Sequence, residues 1–142
     1  MKKIIGRKDK ADFPDLGLED VAIKIDTGAY TSSIHCSDFE AKDGVLYAYF
    51  SDENKSKKSS KRIAFPDYKE AKVKSSNGII QRRYLIKSRI KLFGKLYKIS
   101  LTLADRKKMK NPVLIGRKFL NKKFIVDTDK QNISFKLKSN EH

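Results

Sequence analysis

Asp26-Thr27-Gly28-Ala29 is the stretch of this chain whose residue types could do chemistry. It follows Val21-Ala22-Ile23-Lys24-Ile25, a short β-rich run, which delivers a carboxylate at a strand end. Gly28 permits a tight turn two residues on, and Thr27 places a hydroxyl between the two. Such a turn can hold a carboxylate with backbone N–H groups facing it. Asp and Gly are also common turn residues everywhere, so the tripeptide alone fits a plain strand exit as well. Other reactive side chains are few. His35 and Cys36 are neighbours, and on a strand they face opposite sides, so sharing an ion is difficult. Asp26 with His35 could contribute to a metal site, although HExxH and CxxC are both absent. Cys36 lacks an evident base and reads as a small buried hydrophobe, with His35 in a structural hydrogen bond. Gly6-Arg7-Lys8-Asp9-Lys10 lacks the spacing and terminal hydroxyl of a phosphate-cradling loop. No cofactor and no metal ligand set is expected from these motifs.

The elements that would position Asp26 are mainly strands. Val45–Phe50 is apolar nearly throughout, as a buried strand would be. It runs into residues 51–62, which hold no apolar side chain and read as a mobile surface loop. Asn77-Gly78 is a hairpin signal: both residues tolerate positive φ, and a two-residue type I′ turn would join Val73–Ser76 to Ile79–Arg82. Tyr97, Ile99, Leu101 and Leu103 alternate with polar residues, and Ile133, Phe135 and Leu137 repeat that period near the C-terminus. Only Gly116–Asn121 reads as a helical turn. The expectation is one all-β domain over residues 1–142 with one short helix and no internal repeat. Long amphipathic crossover helices, and with them a doubly wound fold, are missing.

The chain has 142 residues and a net charge of +16. All of that excess lies in residues 71–126, which contain 17 Lys and Arg and one acid, Asp105; the remainder balances. The asymmetry suits an acidic partner (RNA, the ribosome, an anionic surface or an acidic polypeptide), and it also suits a solvated surface. Arg82, Arg83, Lys87, Arg89, Lys91, Lys95 and Lys98 lie among Tyr84, Phe93 and Tyr97, a mixture that could track phosphates and stack bases. Tyr84 and Tyr97 sit in apolar alternations, which favours the core for both. Recognised nucleic-acid signatures are absent. A single cysteine excludes an intrachain disulfide, and no apolar run approaches a membrane span or a signal peptide, so the expected location is the cytoplasm.

Taken in order, Lys24–His35 (KIDTGAYTSSIH), Val73–Gly78 (VKSSNG), Leu101–Met109 (LTLADRKKM), and Pro112–Leu120 (PVLIGRKFL) with Phe124–Asp127 (FIVD) resemble the retropepsins, single-lobed aspartic proteases. The likeness is closer still to a mainly bacterial group of retropepsin-like proteins often labelled ATP-dependent zinc proteases. That resemblance implies a closed β-barrel with a flap-like hairpin and an aspartic endopeptidase activity. Residue by residue, Asp26 matches the catalytic aspartate, and Thr27 and Gly28 the residues that brace it. Ala29, Ser75, Ser76, Asn77 and Gly78 match substrate-contacting positions of the loop and flap. Ile115, Gly116 and Arg117 match the stretch that supports the loop. Viral relatives usually place an aspartate after Asp-Thr-Gly-Ala to pair with the arginine. Tyr30 stands there in this chain, so Arg117 must find another carboxylate or a carbonyl.

The chemistry implied by the resemblance needs two carboxylates around one water, sharing a single proton. This chain has one Asp-Thr-Gly: Asp38, Asp105-Arg106 and Asp127-Thr128-Asp129 lack the following glycine. A two-fold homodimer in which each subunit brings its Asp26 to the axis is therefore the expected arrangement. The group's frequent association with ATP-grasp glutamate ligases, together with the basic segment, implies an acidic or glutamate-modified protein substrate. The competing expectations are a basic module that binds RNA, the ribosome or acidic polymers on a silent protease fold, and a metal-dependent peptidase.

Overall fold

The computed structural model describes residues 1–51, 62–74, 77–105 and 110–140 of the chain. In chain order the strands are β1 (Lys3–Ile5), β2 (Lys8–Phe13), β3 (Leu18–Ile25), β4 (Ser32–His35), β5 (Asp38–Lys42) and β6 (Val45–Tyr49). They continue with β7 (Arg62–Phe65), β8 (Lys69–Lys74), β9 (Ile80–Leu92), β10 (Lys95–Ala104), β11 (Val113–Ile115) and β12 (Phe124–Val126). A 3-10 turn at Pro14–Leu16 joins β2 to β3, and α1 (Arg117–Leu120) and α2 (Ile133–Asn140) are α-helical.

Six strands pair in the order β10-β4-β11-β3-β2-β9, and β9 pairs back to β10, which closes the ring. This is the closed barrel that the resemblance implies. Alternation along each strand fills it. On β9, Ile86, Ser88, Ile90 and Leu92 are buried while Lys87, Arg89 and Lys91 are exposed. On β3, Val21, Ile23 and Ile25 are buried, and on β10, Ile99, Leu101 and Leu103. Each of these apolar side chains contributes about 1.5–3 kcal/mol when fully buried. Outside the ring, β5-β6-β7 forms a three-stranded sheet. Its Phe39 makes an edge-to-face contact with Tyr84, which in turn meets Tyr68.

β8 extends the ring by pairing with the first half of β9, forming the flap-like hairpin. Its geometry differs from the expected two-residue turn. Lys74 lies opposite Ile80. A two-residue turn at Asn77-Gly78 would place Lys74 opposite Gln81, one position away. Gly78 does have positive φ, 78°. Two-residue turns with both φ values positive occur instead at Asp43-Gly44, between Lys42 and Val45, and at Phe93-Gly94, between Leu92 and Lys95. Phe93 tolerates that conformation in a site where its N–H donates to Ser134 Oγ at 2.8 Å and its ring packs on Phe124. Ser75, Ser76 and nearly all of the expected surface loop lie outside the described residues.

The C-terminal alternation does not form a strand. Residues 133–140 are helix α2, so the chain has a second helix that the sequence reading omits. The cause is a buried carboxylate far away in the chain. Asp9, 2% exposed, accepts the N–H groups of Ser134 at 2.9 Å and Phe135 at 3.0 Å. Those are among the N–H groups that a helix leaves unsatisfied at its start, and a carboxylate there also favours the helix dipole. The best-buried residue of the segment is Ser134, the polar member of the supposed alternation, while Leu137 is half-exposed.

Candidate active site

Asp26 leaves β3 between two neighbouring strands. On one side β11 runs parallel to β3, pairing Ile115 with Ile25, and the Asp26 N–H donates to the Ile115 carbonyl at 2.9 Å. The Asp26 side chain then shapes its own turn: Oδ1 accepts the Gly28 N–H at 2.9 Å, and the Ala29 N–H closes on the Asp26 carbonyl at 3.2 Å. Asp26 is half-buried and Thr27 and Gly28 are exposed, so the carboxylate is held in place yet reachable. The second carboxylate oxygen has no hydrogen-bond partner among the described residues. A Cβ on Gly28 would lie 3.2 Å from Asp26 Oδ1, tight against the oxygen that shapes the turn.

Ile115, Gly116 and Arg117 stand behind this loop, as the resemblance places them. Ile115 is fully buried. Gly116 is needed for close approach: a Cβ there would sit 2.6 Å from the Tyr30 carbonyl oxygen and 2.9 Å from that of Ala29. The Arg117 N–H donates to the Ala29 carbonyl at 2.8 Å and Lys118 N–H to Tyr30 at 2.9 Å, so the first turn of α1 grips the loop through its backbone. The Arg117 guanidinium resolves the question raised by Tyr30. It donates to the Thr27 carbonyl at 2.8 Å and lies 5.8 Å from the Tyr30 ring centre, so a carbonyl and an aromatic face replace the absent aspartate. One support goes unnoticed in the sequence. Ser32, 3% exposed, accepts the Gly116 N–H on its Oγ at 3.0 Å.

The structure also overturns the expectation of no internal repeat. Asp127, at the end of β12, makes the same turn. Its N–H donates to the Ile5 carbonyl at 2.9 Å, its Oδ1 accepts the Asp129 N–H at 3.0 Å, and the Lys130 N–H closes on its carbonyl at 3.1 Å. Behind it stands Gly6-Arg7. The Arg7 N–H donates to the Lys130 carbonyl at 2.8 Å and its guanidinium reaches the Thr128 carbonyl at 3.4 Å. Any side chain at Gly6 would collide with the Lys130 carbonyl. β1 and β12 pair in parallel as β11 and β3 do. The signal was present as Ile4-Ile5-Gly6-Arg7 against Leu114-Ile115-Gly116-Arg117, and Ile25-Asp26-Thr27 against Val126-Asp127-Thr128. The copies are too short and too widely separated for periodicity to reveal them. They differ electrostatically: Asp127 has Lys130 at 4.0 Å, whereas Asp26 forms no ion pair among the described residues. The two turns adjoin, because the Ile25 N–H donates to the Arg7 carbonyl at 2.9 Å.

The remaining reactive groups lie elsewhere. His35 follows Ile34, which pairs with Val113, while Asp26 follows Ile25, which pairs with Ile115. The two side chains therefore start from opposite ends of β11, separated by roughly 10 Å of strand, and do not share an ion. His35 faces Asp105 at 3.8 Å. Among the described residues no group of three or more His, Cys, Asp and Glu side chains is placed to hold a metal. Cys36 is buried and donates to the Tyr49 carbonyl at 3.3 Å, and burial pushes its thiol pKa up, away from nucleophilic thiolate. Tyr97 packs on Phe119 and Phe124, and Phe93 on Phe124, so these partly buried aromatics pack against the core. No helix among the described residues is long and apolar enough to cross a membrane.

A closed six-stranded barrel with an Asp-Thr-Gly loop braced by Ile-Gly-Arg defines the retropepsin-like class. The profile of the RimB-like family, described as "Retropepsin-like aspartic endopeptidase RimB", matches residues 4–136, and the chain belongs to that family. It is 35% identical over 131 residues to a "Probable alpha-L-glutamate ligase" of Shewanella halifaxensis and 32% identical over 130 residues to one of Desulfotalea psychrophila. Each match covers 89% of this chain but only 28% of the relative's length. A crystal structure of a Legionella pneumophila protein of unknown function superposes with a TM-score of 0.71 at 26% identity, covering 94% of this chain and 99% of that one.

Proposed function

We propose that the chain is an aspartic-type peptidase whose catalytic unit is a homodimer with one Asp26 from each subunit around a shared water. The observation that carries this reading is the Asp26 turn itself: a reachable carboxylate without an ionic partner among the described residues, fixed by Gly28, Ile115 and Arg117. One Asp26, ionised, takes a proton from water as the oxygen attacks the scissile carbonyl carbon. The other, protonated, donates to the carbonyl oxygen. Collapse of the tetrahedral intermediate breaks the C–N bond as the leaving nitrogen gains a proton. A lone subunit has half of this site, and the exposure of Thr27, Gly28 and Tyr30 suits a loop that meets its copy. Ala29, Asn77 and Gly78, with the exposed Ile79 and Ile80 beside the hairpin tip, are the proposed substrate contacts.

The substrate class we favour is a protein bearing acidic, glutamate-rich extensions. In the longer relatives this segment is part of chains named for glutamate ligation, and a hydrolase fused to a ligase is held close to that ligase's product. The +16 charge supports the same preference. The test compares wild type with Asp26→Asn on a peptide ending in oligoglutamate and on a neutral peptide. Asn keeps the shape but cannot act as base, so the rate should fall by about 10²–10⁴ with the fold unchanged. A fully active Asp26→Asn protein would sink the assignment. Reversible inactivation by a chelator would replace it with metal-dependent hydrolysis.

A further inference from the structure

A second site lies beside α1. An open groove of about 640 Å³ runs between the β9–β10 pair and α1, and its walls carry Lys87, Lys98, Lys118 and Lys123. Its volume falls within the range of roughly 300–1,000 Å³ typical of small-ligand pockets. The groove's one guanidinium, Arg89, is already committed: it grips the Asp15 carboxylate through two hydrogen bonds of 2.9 and 2.6 Å, and that contact holds the Asp15 pKa below the usual carboxylate value. None of the four ammonium groups has an opposing acid in the lining, and Lys123 Nζ donates to the Phe119 carbonyl at 3.0 Å. Three serines, Ser32, Ser88 and Ser100, lie among them. Ser88 is 7% exposed, and its Oγ is the one buried side-chain polar atom without a hydrogen-bond partner among the described residues. That hydroxyl points with Ile86 and Ile90 to the buried side of β9, away from Lys87 and Arg89, so the groove's donors are its ammonium groups.

We infer that this groove binds a polyvalent phosphate group. The donor set decides between anions. Planar carboxylates are best matched by the guanidinium fork, which Asp15 occupies, whereas ammonium donors can surround the oxygens of a tetrahedral phosphate from several directions. The site is separate from the Asp26 turn but shares its struts. Ser32 holds Gly116, and the Lys118 N–H holds the Tyr30 carbonyl, so an occupied groove would stiffen the back of the loop. This inference does not depend on the proposed peptidase activity.

The test is calorimetric titration of the full chain with inorganic triphosphate at low salt. Saturable one-site binding is expected. Lys87→Gln with Lys98→Gln should weaken it by about tenfold or more. Lys2→Gln with Lys42→Gln, which removes equal charge elsewhere, should leave affinity nearly unchanged, as should Asp26→Asn. Competition by a nucleoside triphosphate would mark the phosphate source as a small molecule, and competition by single-stranded RNA alone would mark it as a nucleic-acid backbone. Absent saturation, equal weakening by the control pair, or tighter binding of an oligoglutamate of matched charge would each overturn the inference.

Discussion

Gly116 and Arg117 hold the Asp26 loop by different means, and substitutions should separate them. Gly116→Ala places a methyl group against the Ala29 and Tyr30 carbonyls, which are backbone and cannot swing aside. Overpacking of this kind costs about 1–3 kcal/mol, and relief requires the loop that carries Asp26 to move. Gly116→Ala should therefore lose both stability in urea melts and peptidase rate. Arg117→Lys should behave differently. A lysine keeps the charge, but its point ammonium matches the carbonyl-plus-ring arrangement poorly. The expected result is a small stability change with a disproportionate drop in rate; equal losses in both would reduce Arg117 to general scaffolding.

At the scale of elements, α2 is held in place by Asp9, a residue of β2. Asp9→Ala removes the acceptor for two helix N–H groups in a buried setting. Loss of a helix cap costs about 0.5–2 kcal/mol, and one kcal/mol is worth roughly 2–4 °C for a domain near this size. Melting should fall by several degrees, with hydrogen exchange fastest in residues 133–140; protection unchanged there would refute the capping role. The 3-10 turn is tied to β9 by Asp15 and Arg89, and the pH sign follows from the direction of the shift. Because Arg89 lowers the Asp15 pKa in the folded state, the pair's contribution is present above the unfolded value of about 3.8 and is lost as pH falls through the folded value. Both partners face solvent, so the effect should be small. Asp15→Asn should flatten that acid limb in stability-versus-pH curves by lowering stability slightly at neutral pH, where the pair contributes, while leaving the most acidic end nearly unaffected.

At the scale of the whole molecule, a site assembled from two chains obeys mass action. Specific activity should rise with protein concentration until dimerisation saturates. Mixing wild type with excess Asp26→Asn should suppress activity through mixed dimers. A monomer retaining full Asp26-dependent activity, shown by sedimentation at the assay concentration, would remove the dimer from the mechanism. The pH profile should need one protonated and one ionised carboxylate, with its two apparent pKa values belonging to the pair.

Strand existence was legible because alternation and burial agree locally: Val45–Tyr49, Lys95–Ala104 and the run into Asp26 are what their side chains dictate. The Asp26 loop and its Ile-Gly-Arg support were legible because glycine and arginine mark close approach and a specific grip. What tertiary structure decided has partners distant in sequence. Ile133, Phe135 and Leu137 alternate like a strand, yet a carboxylate 125 residues away caps their backbone into a helix. The turn at Asn77 is set by the register of β8 on β9, which both strands' packing determines and two turn residues do not. Arg117 found a carbonyl and Tyr30 through folding, and the Asp127 turn became a copy of the Asp26 turn only once β1 lay beside β12. Local propensity is written in neighbouring residues, whereas caps, register and bracing contacts depend on which distant groups burial brings within hydrogen-bond reach.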